Sequence, residues 1–347
     1  MLAVVKTKPE KGVEILDRPM PVIGNDDHVL IKVEACGICG SDVHFYEWPL
    51  EMHLETMVII PRILGHELAG IVESVGRNVV GFKPGDRVVS ETWGGCGFCY
   101  YCRLGRFNHC LHQTRIGQQV DGAMTDYVVV PYFSLYKIPD EVNSEEAAVI
   151  EPLGVALHAF ERCEFKPGDD VIIIGPGPIG LLAAQIALSG GAANVGVLGL
   201  ALDKERLEMA EGFGAAAINV EEMDPYEAVS ELTRGLGADL VLDVSGGRNT
   251  LSQAVRMAKR GGQVVLVGLS PPGEFNSTEL IAREVTVHGS FRRQPVTWLR
   301  AINMVTSNVV DLSPLITHTL PFSDAVQGFE LLVERRAIKV VLVPGKS

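Results

Sequence analysis

Four cysteines that could share one metal ion lie close together in the sequence. They occur within the segment C-G-F-C-Y-Y-C-R-L-G-R-F-N-H-C, which begins at position 96. Zinc suits such a set because a d¹⁰ ion accepts four thiolates in a tetrahedron, and a closed Cys₄ site leaves no position for a substrate. We therefore predict a structural zinc site formed by Cys96, Cys99, Cys102 and Cys110, in a lobe that spans residues 91–112.

A second group of potential ligands is spread over the first half of the chain. It contains sulfur and polar groups in C-G-I-C-G-S-D-V-H, an imidazole and a carboxylate in G-H-E, and a further carboxylate before a proline. The group comprises Cys36, Cys39, Ser41, His44, His66, Glu67 and Glu151. A catalytic zinc needs about three protein ligands and an open position for water or substrate. Each of these residues taken singly is more often structural, but together they supply enough donors for such a site.

A glycine-rich loop lies between an apolar run and a helical pattern further along the chain. The segment V-I-I-I-G-P-G-P-I-G-L-L places glycines at 175, 177 and 180. In a dinucleotide-binding loop the first glycine permits the tight turn, the second lets backbone approach a pyrophosphate, and the third allows the helix to approach the strand. The phosphate binds at the helix N-terminus, where free N–H groups favour an anion. Gly175, Gly177 and Gly180 therefore predict a dinucleotide cofactor.

The carboxylate that usually binds the adenosine ribose is displaced in this sequence. Gly199 stands where that carboxylate would close the second strand, and Asp203 follows four residues later. A carboxylate binds the ribose hydroxyls of NAD, whereas a cationic side chain accommodates the 2′-phosphate of NADP. Lys204 and Arg206 could receive that phosphate or could be solvated helix charges. The choice between NAD and NADP therefore stays open, and Asp203 favours NAD.

Composition and charge limit the classes of partner. The chain has 347 residues, is 47% hydrophobic and 21% charged, and carries a formal net charge of -13. This acidity, without a Lys/Arg-rich block, argues against nucleic acid as a partner. Seven cysteines without a secretory signal favour metal binding in the cytoplasm over disulfides, and Cys163 stands apart as a small buried hydrophobe. Glycines and prolines interrupt the uncharged stretch 171–202, which favours a buried βαβ unit over a membrane span.

The elements that must position these residues follow two patterns. Short β-branched runs bounded by turn residues predict strands at 29–33, 69–75, 87–90 and 125–131. From about residue 167, alternating strands and helices predict a parallel doubly wound sheet. Its strands are predicted at 171–174, 195–198, 239–244 and 263–267, and its helices at 179–189, 204–213 and 250–258. A helix at 296–305 and a strand at 339–343 are predicted to return to the first domain.

The predicted architecture is therefore an α/β chain of two domains. A strand-rich catalytic domain, partly open and barrel-like, takes residues 1–154 and 291–347 and includes the zinc lobe. A Rossmann domain with a doubly wound parallel sheet takes residues 155–290. The length agrees with this division, since chains of this size seldom fold around one core.

Together these motifs resemble the zinc-containing medium-chain dehydrogenases over the whole chain. C-G-I-C-G-S-D-V-H, G-H-E-L-A-G-I-V-E-S-V-G, the four-cysteine lobe and the glycine loop occur in that family's order and spacing. The resemblance implies that Cys39, rather than Cys36, and His66 bind a catalytic zinc. Glu151 stands where the alcohol dehydrogenases of the family have a third ligand, a cysteine. The resemblance also implies that Glu67 ligates the zinc or exchanges with water.

The same resemblance implies a reaction and a set of cofactor contacts. A zinc-bound alcohol would lose its proton to Ser41, in a relay that ends near His44, and hydride would pass to the nicotinamide. Glu67 is included with the catalytic residues. The expected cofactor contacts are Gly175, Gly177, Pro178, Ile179, Gly180, Asp203, Arg206, Leu269 and Phe291. The expected assembly is a homodimer or homotetramer with one catalytic and one structural zinc per chain.

Two branches of that family compete for the substrate. The segment G-S-F-R-R-Q-P-V-T-W resembles polyol dehydrogenases of the sorbitol and xylitol type, in which the arginine that matches Arg292 reaches the substrate. Phe45 replaces a tyrosine of that branch and is also expected at the substrate. The segment H-F-Y-E-W resembles the threonine dehydrogenases, whose late pattern is missing here. A polyol or secondary alcohol is therefore the expected substrate, threonine is the rival, and a non-catalytic dinucleotide-binding protein is the alternative from another class.

Overall fold

The computed structural model describes residues 1–92, 95–271, 273 and 275–345. The chain divides into two compact units. The first comprises Met1–Glu151, Gln294–Thr306 and Leu315–Ser347, and the second comprises Pro152–Arg293 and Ser307–Pro314. The sequence predicts a division at 154/155 and 290/291 and places 307–314 in the first domain, whereas these residues cluster with the second unit. Positions 93 and 94 of the predicted lobe, and 346 and 347 of the predicted first domain, lie outside the described residues.

Short strands dominate the first part of the chain. They are β1 (Leu2–Lys6), β2 (Glu14–Asp17), β3 (His28–Gly37), β4 (Arg62–Ile63), β5 (Glu67–Val75), β6 (Arg87–Ser90), β7 (Tyr127–Pro131) and β8 (Leu135–Lys137). The helices are α1 (Gly40–Glu47), α2 (Tyr100–Arg103) and α3 (Ser144–Glu161). Buried valines and isoleucines fill β3, β5 and β6, and such side chains fit a pleated, half-buried surface.

The second part alternates strands and helices. The strands are β9 (Asp170–Ile174), β10 (Asn194–Gly199), β11 (Ala216–Asn219), β12 (Ala238–Asp243), β13 (Ala258–Leu266) and β14 (Thr286–Gly289). The helices are α4 (Pro178–Ser189), α5 (Lys204–Phe213), α6 (Pro225–Leu232), α7 (Thr250–Met257) and α8 (Ser277–Arg283). Neighbouring strands are parallel in the order β11-β10-β9-β12-β13-β14. This is a doubly wound sheet, so the predicted Rossmann architecture is confirmed.

The C-terminal part returns to the first unit. It contains α9 (Pro295–Thr306), β15 (Ile316–Pro321), α10 (Ala325–Val333) and β16 (Lys339–Val343). β16 pairs antiparallel with β3, which places Val341 opposite Gly37. The sheet order is β15-β16-β3-β5-β6-β8 with β7 also paired to β3, and a smaller sheet has the order β2-β1-β4. The first unit is thus built from both ends of the chain.

Element boundaries differ from the predictions where local patterns conflict. Ala258 begins β13 instead of ending α7, and α4 begins at Pro178, one residue before the predicted start. The sequence did not predict α3, because Pro152 lies inside it and proline usually marks a helix boundary. The uncharged stretch 171–202 contains β9, α4 and β10, as predicted. In the described part of the chain, no helix has both the length and the apolar character needed to cross a membrane.

The sheet that contains β3 and β5 positions the residues predicted for chemistry. β3 ends at Gly37 and α1 begins at Gly40, so the turn between these elements carries Cys39. β3 and β5 are antiparallel, and Gly37 lies opposite Glu67. His66 immediately precedes β5 and therefore lies on the same side of the sheet end as the Cys39 turn.

Candidate active site

The four cysteines of the predicted lobe converge on one point. The Sγ atoms of Cys96, Cys99, Cys102 and Cys110 all lie within 4.8 Å of one another. Cys96 Sγ is 4.0 Å from Cys102 Sγ, and Cys99 Sγ is 3.9 Å from Cys110 Sγ. Four sulfurs at the usual Zn–S distance of about 2.3 Å form a tetrahedron with edges of about 3.8 Å. The spacing therefore fits a single zinc ion.

Backbone N–H groups of the lobe point at these sulfurs. The N–H of Cys96 donates to Cys110 Sγ at 3.4 Å, and the N–H of Cys99 donates to Cys96 Sγ at 3.4 Å. Backbone N–H groups of Leu111 and Cys102 lower the pKa of Cys99 to about 6. Such donors favour the thiolate, which is the form that binds metal. Because four sulfurs complete a tetrahedral shell, the lobe fits a structural site.

A buried carboxylate, Asp42, holds both Cys39 and the segment before β5. Cys39 is the N-cap residue of α1, and its N–H donates to Asp42 Oδ2 at 3.1 Å. Asp42 Oδ1 accepts from Gly65 N at 3.4 Å and lies 3.8 Å from His66 Nδ1. Burial raises the pKa of Asp42, while His66 and these N–H groups act in the opposite direction. The sequence analysis did not single out Asp42, although an acid three residues after an N-cap is the capping-box pattern.

His66 is buried beside Cys39. It is 5% exposed, and the Cys39 side chain is close enough to act on its pKa. Burial lowers the pKa of His66, but the negative charges of Asp42, Cys39 and Glu151 outweigh burial and raise it to about 10. Within the described residues, His66 Nδ1 has no hydrogen-bond partner. An imidazole, with a thiol and a carboxylate near enough to act on it, forms a donor set that zinc accepts.

Glu151 completes this donor set from α3. It is 5% exposed, and its Oε1 accepts a hydrogen bond from Thr92 Oγ1 at 3.1 Å. The lobe cysteines form the one group of His, Cys, Asp and Glu side chains, among the described residues, that is gathered closely enough for a metal as it stands. Cys39, His66 and Glu151 are therefore more loosely gathered, but their donor types fit a zinc ion with an open position.

Glu67 is bound by a lysine that sequence reasoning missed. Lys339 Nζ donates to Glu67 Oε1 at 2.9 Å, to Glu67 Oε2 at 2.8 Å and to Ile38 O at 3.0 Å. Burial raises the pKa of Glu67, and Lys339 opposes this shift. Both carboxylate oxygens are thus engaged by the ammonium group. The role of Glu67 as an exchanging zinc ligand stays a prediction. Lys339 could have been noticed in the sequence, because it is an isolated charge in an apolar strand.

The two residues that are predicted to form a proton relay lie on α1. Ser41 and His44 are both partly exposed. Burial lowers the pKa of His44, with Glu47 acting in the opposite direction, so the imidazole is neutral at neutral pH. Phe45 is 1% exposed and belongs to the hydrophobic core of the first unit. Core side chains enclose its ring, and the predicted contact of Phe45 with substrate stays a prediction.

The glycine loop has the geometry that a pyrophosphate requires. Gly175 has φ 106° at the end of β9, a conformation that favours glycine. A Cβ at Gly180 would lie 2.0 Å from Gly175 O, so only glycine permits this approach of α4. A Cβ at Gly177 would meet no atom within 4 Å, which leaves space in front of the helix for a phosphate. Pro178, which has no N–H, begins the first turn of α4, and the N–H groups of Ile179 and Gly180 in that turn can bind an anion.

Asp203 is turned inward instead of toward a ribose. It is 4% exposed, and its Oδ2 accepts a hydrogen bond from Leu200 N at 3.2 Å. Arg206 Nη1 lies 3.6 Å from Asp203 Oδ1. The carboxylate thus stabilises the turn between β10 and α5. This placement argues against the predicted ribose contact and against the preference for NAD based on it.

The remaining predicted contacts lie on the second unit. Leu269 and Phe291 are 59% and 44% exposed, so a ligand can reach both. Arg292 has φ 59°, and its guanidinium lies 4.6 Å from the centroid of the Phe291 ring. The following residue, Arg293, is 2% exposed. Arg292 is the more accessible of these arginines, and its role in substrate binding stays a prediction.

Known families match most of the chain. A family model described as the alcohol dehydrogenase GroES-like domain matches residues 25–140, and one described as zinc-binding dehydrogenase matches residues 178–307. The sorbitol dehydrogenase of Halalkalibacterium halodurans is 39% identical over 99% of each protein. The L-threonine 3-dehydrogenase of Bacillus velezensis is 36% identical, also over 99% of each. A zinc-binding dehydrogenase of Sinorhizobium meliloti, solved with bound NADP, has a TM-score of 0.90 and 32% identity over 99% of each chain.

Proposed function

Because this chain belongs to the zinc-binding medium-chain alcohol dehydrogenase family, we propose that it oxidises a polyol or another secondary alcohol with a nicotinamide dinucleotide as hydride acceptor. One observation carries the proposal: the buried Asp42 carboxylate binds the N–H groups of Cys39 and Gly65 and lies 3.8 Å from His66 Nδ1, so that Cys39 and His66 lie on either side of it. Glu151 is close enough to act on the same imidazole. The closed cysteine set of the lobe is separate from this group. Cys39, His66 and Glu151 would therefore hold a second zinc, with a position left for substrate.

The residues of the first unit would manage the proton. Bound zinc would supply a Lewis acid that lowers the pKa of the substrate hydroxyl, and bound nicotinamide would take the hydride. Ser41 Oγ accepts the alcohol proton, because a hydroxyl both accepts and donates. The neutral imidazole of His44 receives the proton from Ser41. Since His44 is partly exposed, it can release the proton to solvent.

The second unit would bind the dinucleotide at the glycine loop. The first turn of α4 offers N–H groups to the pyrophosphate, and Gly177 leaves the space that a phosphate needs. Gly199 lacks a side chain and Asp203 is turned inward, so neither opposes a 2′-phosphate. We therefore propose that the chain accepts NADP as well as NAD.

The substrate proposal favours polyols, with threonine as the second candidate. The identity to a sorbitol dehydrogenase and the accessible Phe291–Arg292 pair support a polyol. The identity to threonine 3-dehydrogenases is almost as high, and this supports the rival. A non-catalytic dinucleotide-binding protein would have no need for Cys39, His66 and Glu151 together. Assembly as a dimer or tetramer and a cytoplasmic location remain proposals.

An initial-rate survey tests the proposed function. Nicotinamide absorbance is followed with NAD⁺ and NADP⁺ for sorbitol, xylitol, inositols, L-threonine, butane-2,3-diol and simple secondary alcohols. We expect turnover of a polyol or secondary alcohol that a chelator abolishes and that Cys39→Ala abolishes together with one of two zincs per chain. Cys163→Ala, outside both sets, is the matched control and should keep both zincs and full turnover. Turnover of threonine alone would replace the polyol assignment, and silence with every substrate while cofactor binds would overturn the enzymatic proposal.

A further inference from the structure

Thr92, which contacts Glu151, is itself held through Glu91 and Trp298. Glu91 Oε1 accepts from Thr92 N at 2.7 Å, and Glu91 Oε2 accepts from the indole N–H of Trp298 at 2.7 Å. Thr92 Oγ1 donates to Glu151 Oε1 at 3.1 Å. These bonds form a continuous path within the first unit, from Trp298 on α9 to Glu151 on α3.

The far end of this path is firmly anchored. Trp298 is 1% exposed, and its indole stacks on Tyr136 of β8 with ring centroids 5.1 Å apart and planes inclined by 13°. Glu91 follows β6 directly, and its N–H donates to Ser134 O at 2.8 Å. The backbone of Glu91 and both of its carboxylate oxygens are therefore fixed by separate partners. A side chain held in this way can position the residue next to it.

We propose that Trp298, Glu91 and Thr92 are positioning residues that hold the Glu151 carboxylate in the orientation required of a zinc ligand. The inference rests on the proposed function, since it assigns a role toward the metal that Cys39, His66 and Glu151 would bind. A glutamate on a helix has several rotamers, and a ligand that is free to rotate binds a metal weakly. Side chains that hydrogen-bond to a metal ligand and orient it typically contribute about 10–100-fold to metal affinity.

A purely structural role for the same bonds makes a different prediction. If Trp298 only anchored α9 to the end of β6, its loss would lower stability without changing how zinc is held. The two roles separate when zinc release and unfolding are measured on the same variants. Thr92→Val removes the hydroxyl at constant shape, Thr92→Ser keeps the hydroxyl, and Trp298→Phe keeps an aromatic ring but removes the N–H donor.

The measurement is the rate at which the zinc-loaded protein transfers zinc to a colorimetric chelator, with thermal melting in parallel. We expect Thr92→Val to accelerate the release of one zinc per chain by about 10–100-fold, and Thr92→Ser to restore the wild-type rate. Trp298→Phe should accelerate the same release by less, because Glu91 still holds the Thr92 N–H. Thr125→Val is the matched control: Thr125 is also buried, at 1% exposed against 8% for Thr92, and its hydroxyl donates to Leu2 O at 2.7 Å. It should lower stability but leave both release rates unchanged.

A double variant tests the direction of the path. If Trp298 acts on Glu151 through Thr92, Trp298→Phe should add little to the release rate of Thr92→Val. The inference would be overturned if the two substitutions accelerated zinc release independently, so that their factors multiplied in the double variant. It would also be overturned if Thr92→Val released zinc at the wild-type rate. Glu91→Gln provides a second route if Trp298→Phe folds poorly, because an amide has one oxygen and cannot accept both bonds.

The failure of this inference can be told apart from failure of the proposed function. Wild-type protein with a single zinc per chain, insensitive to Cys39→Ala, would overturn the proposed metal site and the inference together. Two zincs per chain, with release rates unaffected by all of these substitutions, would overturn the positioning inference alone.

Discussion

Replacing Lys339 with methionine should destabilise the first unit strongly. The ammonium group lies 2.9 and 2.8 Å from the carboxylate oxygens of Glu67 and 3.0 Å from Ile38 O. The side chains of the pair are 3% and 1% exposed. Methionine is similar in length but carries no charge, so the substitution leaves the Glu67 carboxylate buried without its cation.

The size of the effect follows from this geometry. At an effective dielectric constant of about 20, unit charges about 3 Å apart attract by about 5–6 kcal/mol, which sets an upper bound. Removing one partner of a buried pair typically costs about 3–5 kcal/mol. We therefore expect Lys339→Met to lower the free energy of unfolding of the first unit by about 3–5 kcal/mol. The double variant with Glu67→Gln leaves no unpaired charge and should recover most of this loss.

Tryptophan fluorescence during urea unfolding provides the assay. The described tryptophans, Trp48 and Trp298, lie in the first unit, so their emission reports on the unfolding of that unit. Wild type, Lys339→Met and the double variant with Glu67→Gln are compared in zinc-loaded form. The reasoning is refuted if Lys339→Met is within about 1 kcal/mol of wild type, or if the double variant is as unstable as the single one.

Other predictions follow from the metal lobe, the glycine loop and a buried lysine. Cys96→Ser is expected to release one zinc per chain and to lower the melting temperature, because a closed thiolate site contributes folding free energy; unchanged zinc content and melting would contradict the lobe assignment. Gly177→Ala should melt like wild type but bind NAD weakly, since a Cβ there meets no protein atom within 4 Å yet fills the phosphate space. Gly180→Ala should impair both properties, because its Cβ would lie 2.0 Å from a loop carbonyl oxygen, and calorimetry with thermal melts distinguishes the two variants. Burial lowers the pKa of Lys6 from 10.5 to about 8, so the unfolded chain binds more protons between these values. The free energy of unfolding of wild type relative to Lys6→Met should therefore rise from pH 8 to 10.5. If urea titrations show that this difference stays constant or falls with pH, the lowered pKa of Lys6 is contradicted.

The parts of the site formed by neighbouring residues were predictable from the sequence. The spacing of Cys96, Cys99, Cys102 and Cys110 places four sulfurs within reach of one ion. The glycine loop likewise depends on adjacent residues between one strand and one helix. Alternating strands and helices also predicted the parallel sheet, because each such unit imposes a local hydrophobic period.

The supports of the candidate catalytic set were not predictable in the same way. Lys339 lies 272 positions from Glu67 in sequence, and Trp298 lies 207 positions from Glu91. These contacts depend on β16 returning to β3 and on α9 reaching the end of β6. A single sequence carries no local pattern for such pairings, so the partners emerged only from the fold.

Two predicted contacts are opposed by a structural role that the same residue takes in the fold. Asp203 is an acid near the expected ribose position, but a hydrogen bond from Leu200 N and an ion pair with Arg206 turn it inward. Phe45 was placed at the substrate because the polyol dehydrogenase branch has a tyrosine there, whereas its ring is buried in the core of the first unit. In both cases a single sequence does not show in which direction the side chain points.

Anomalous scattering at the zinc edge tests the central claim most directly. Diffraction from a crystal grown in the presence of a zinc salt is recorded above and below the zinc absorption edge. The peaks of the anomalous difference map are then located relative to the side chains. We expect two peaks per chain, one among the lobe cysteines and one bounded by Cys39, His66 and Glu151. A single peak at the lobe, with none near Cys39 at full zinc loading, would contradict a zinc-dependent dehydrogenase mechanism for this chain.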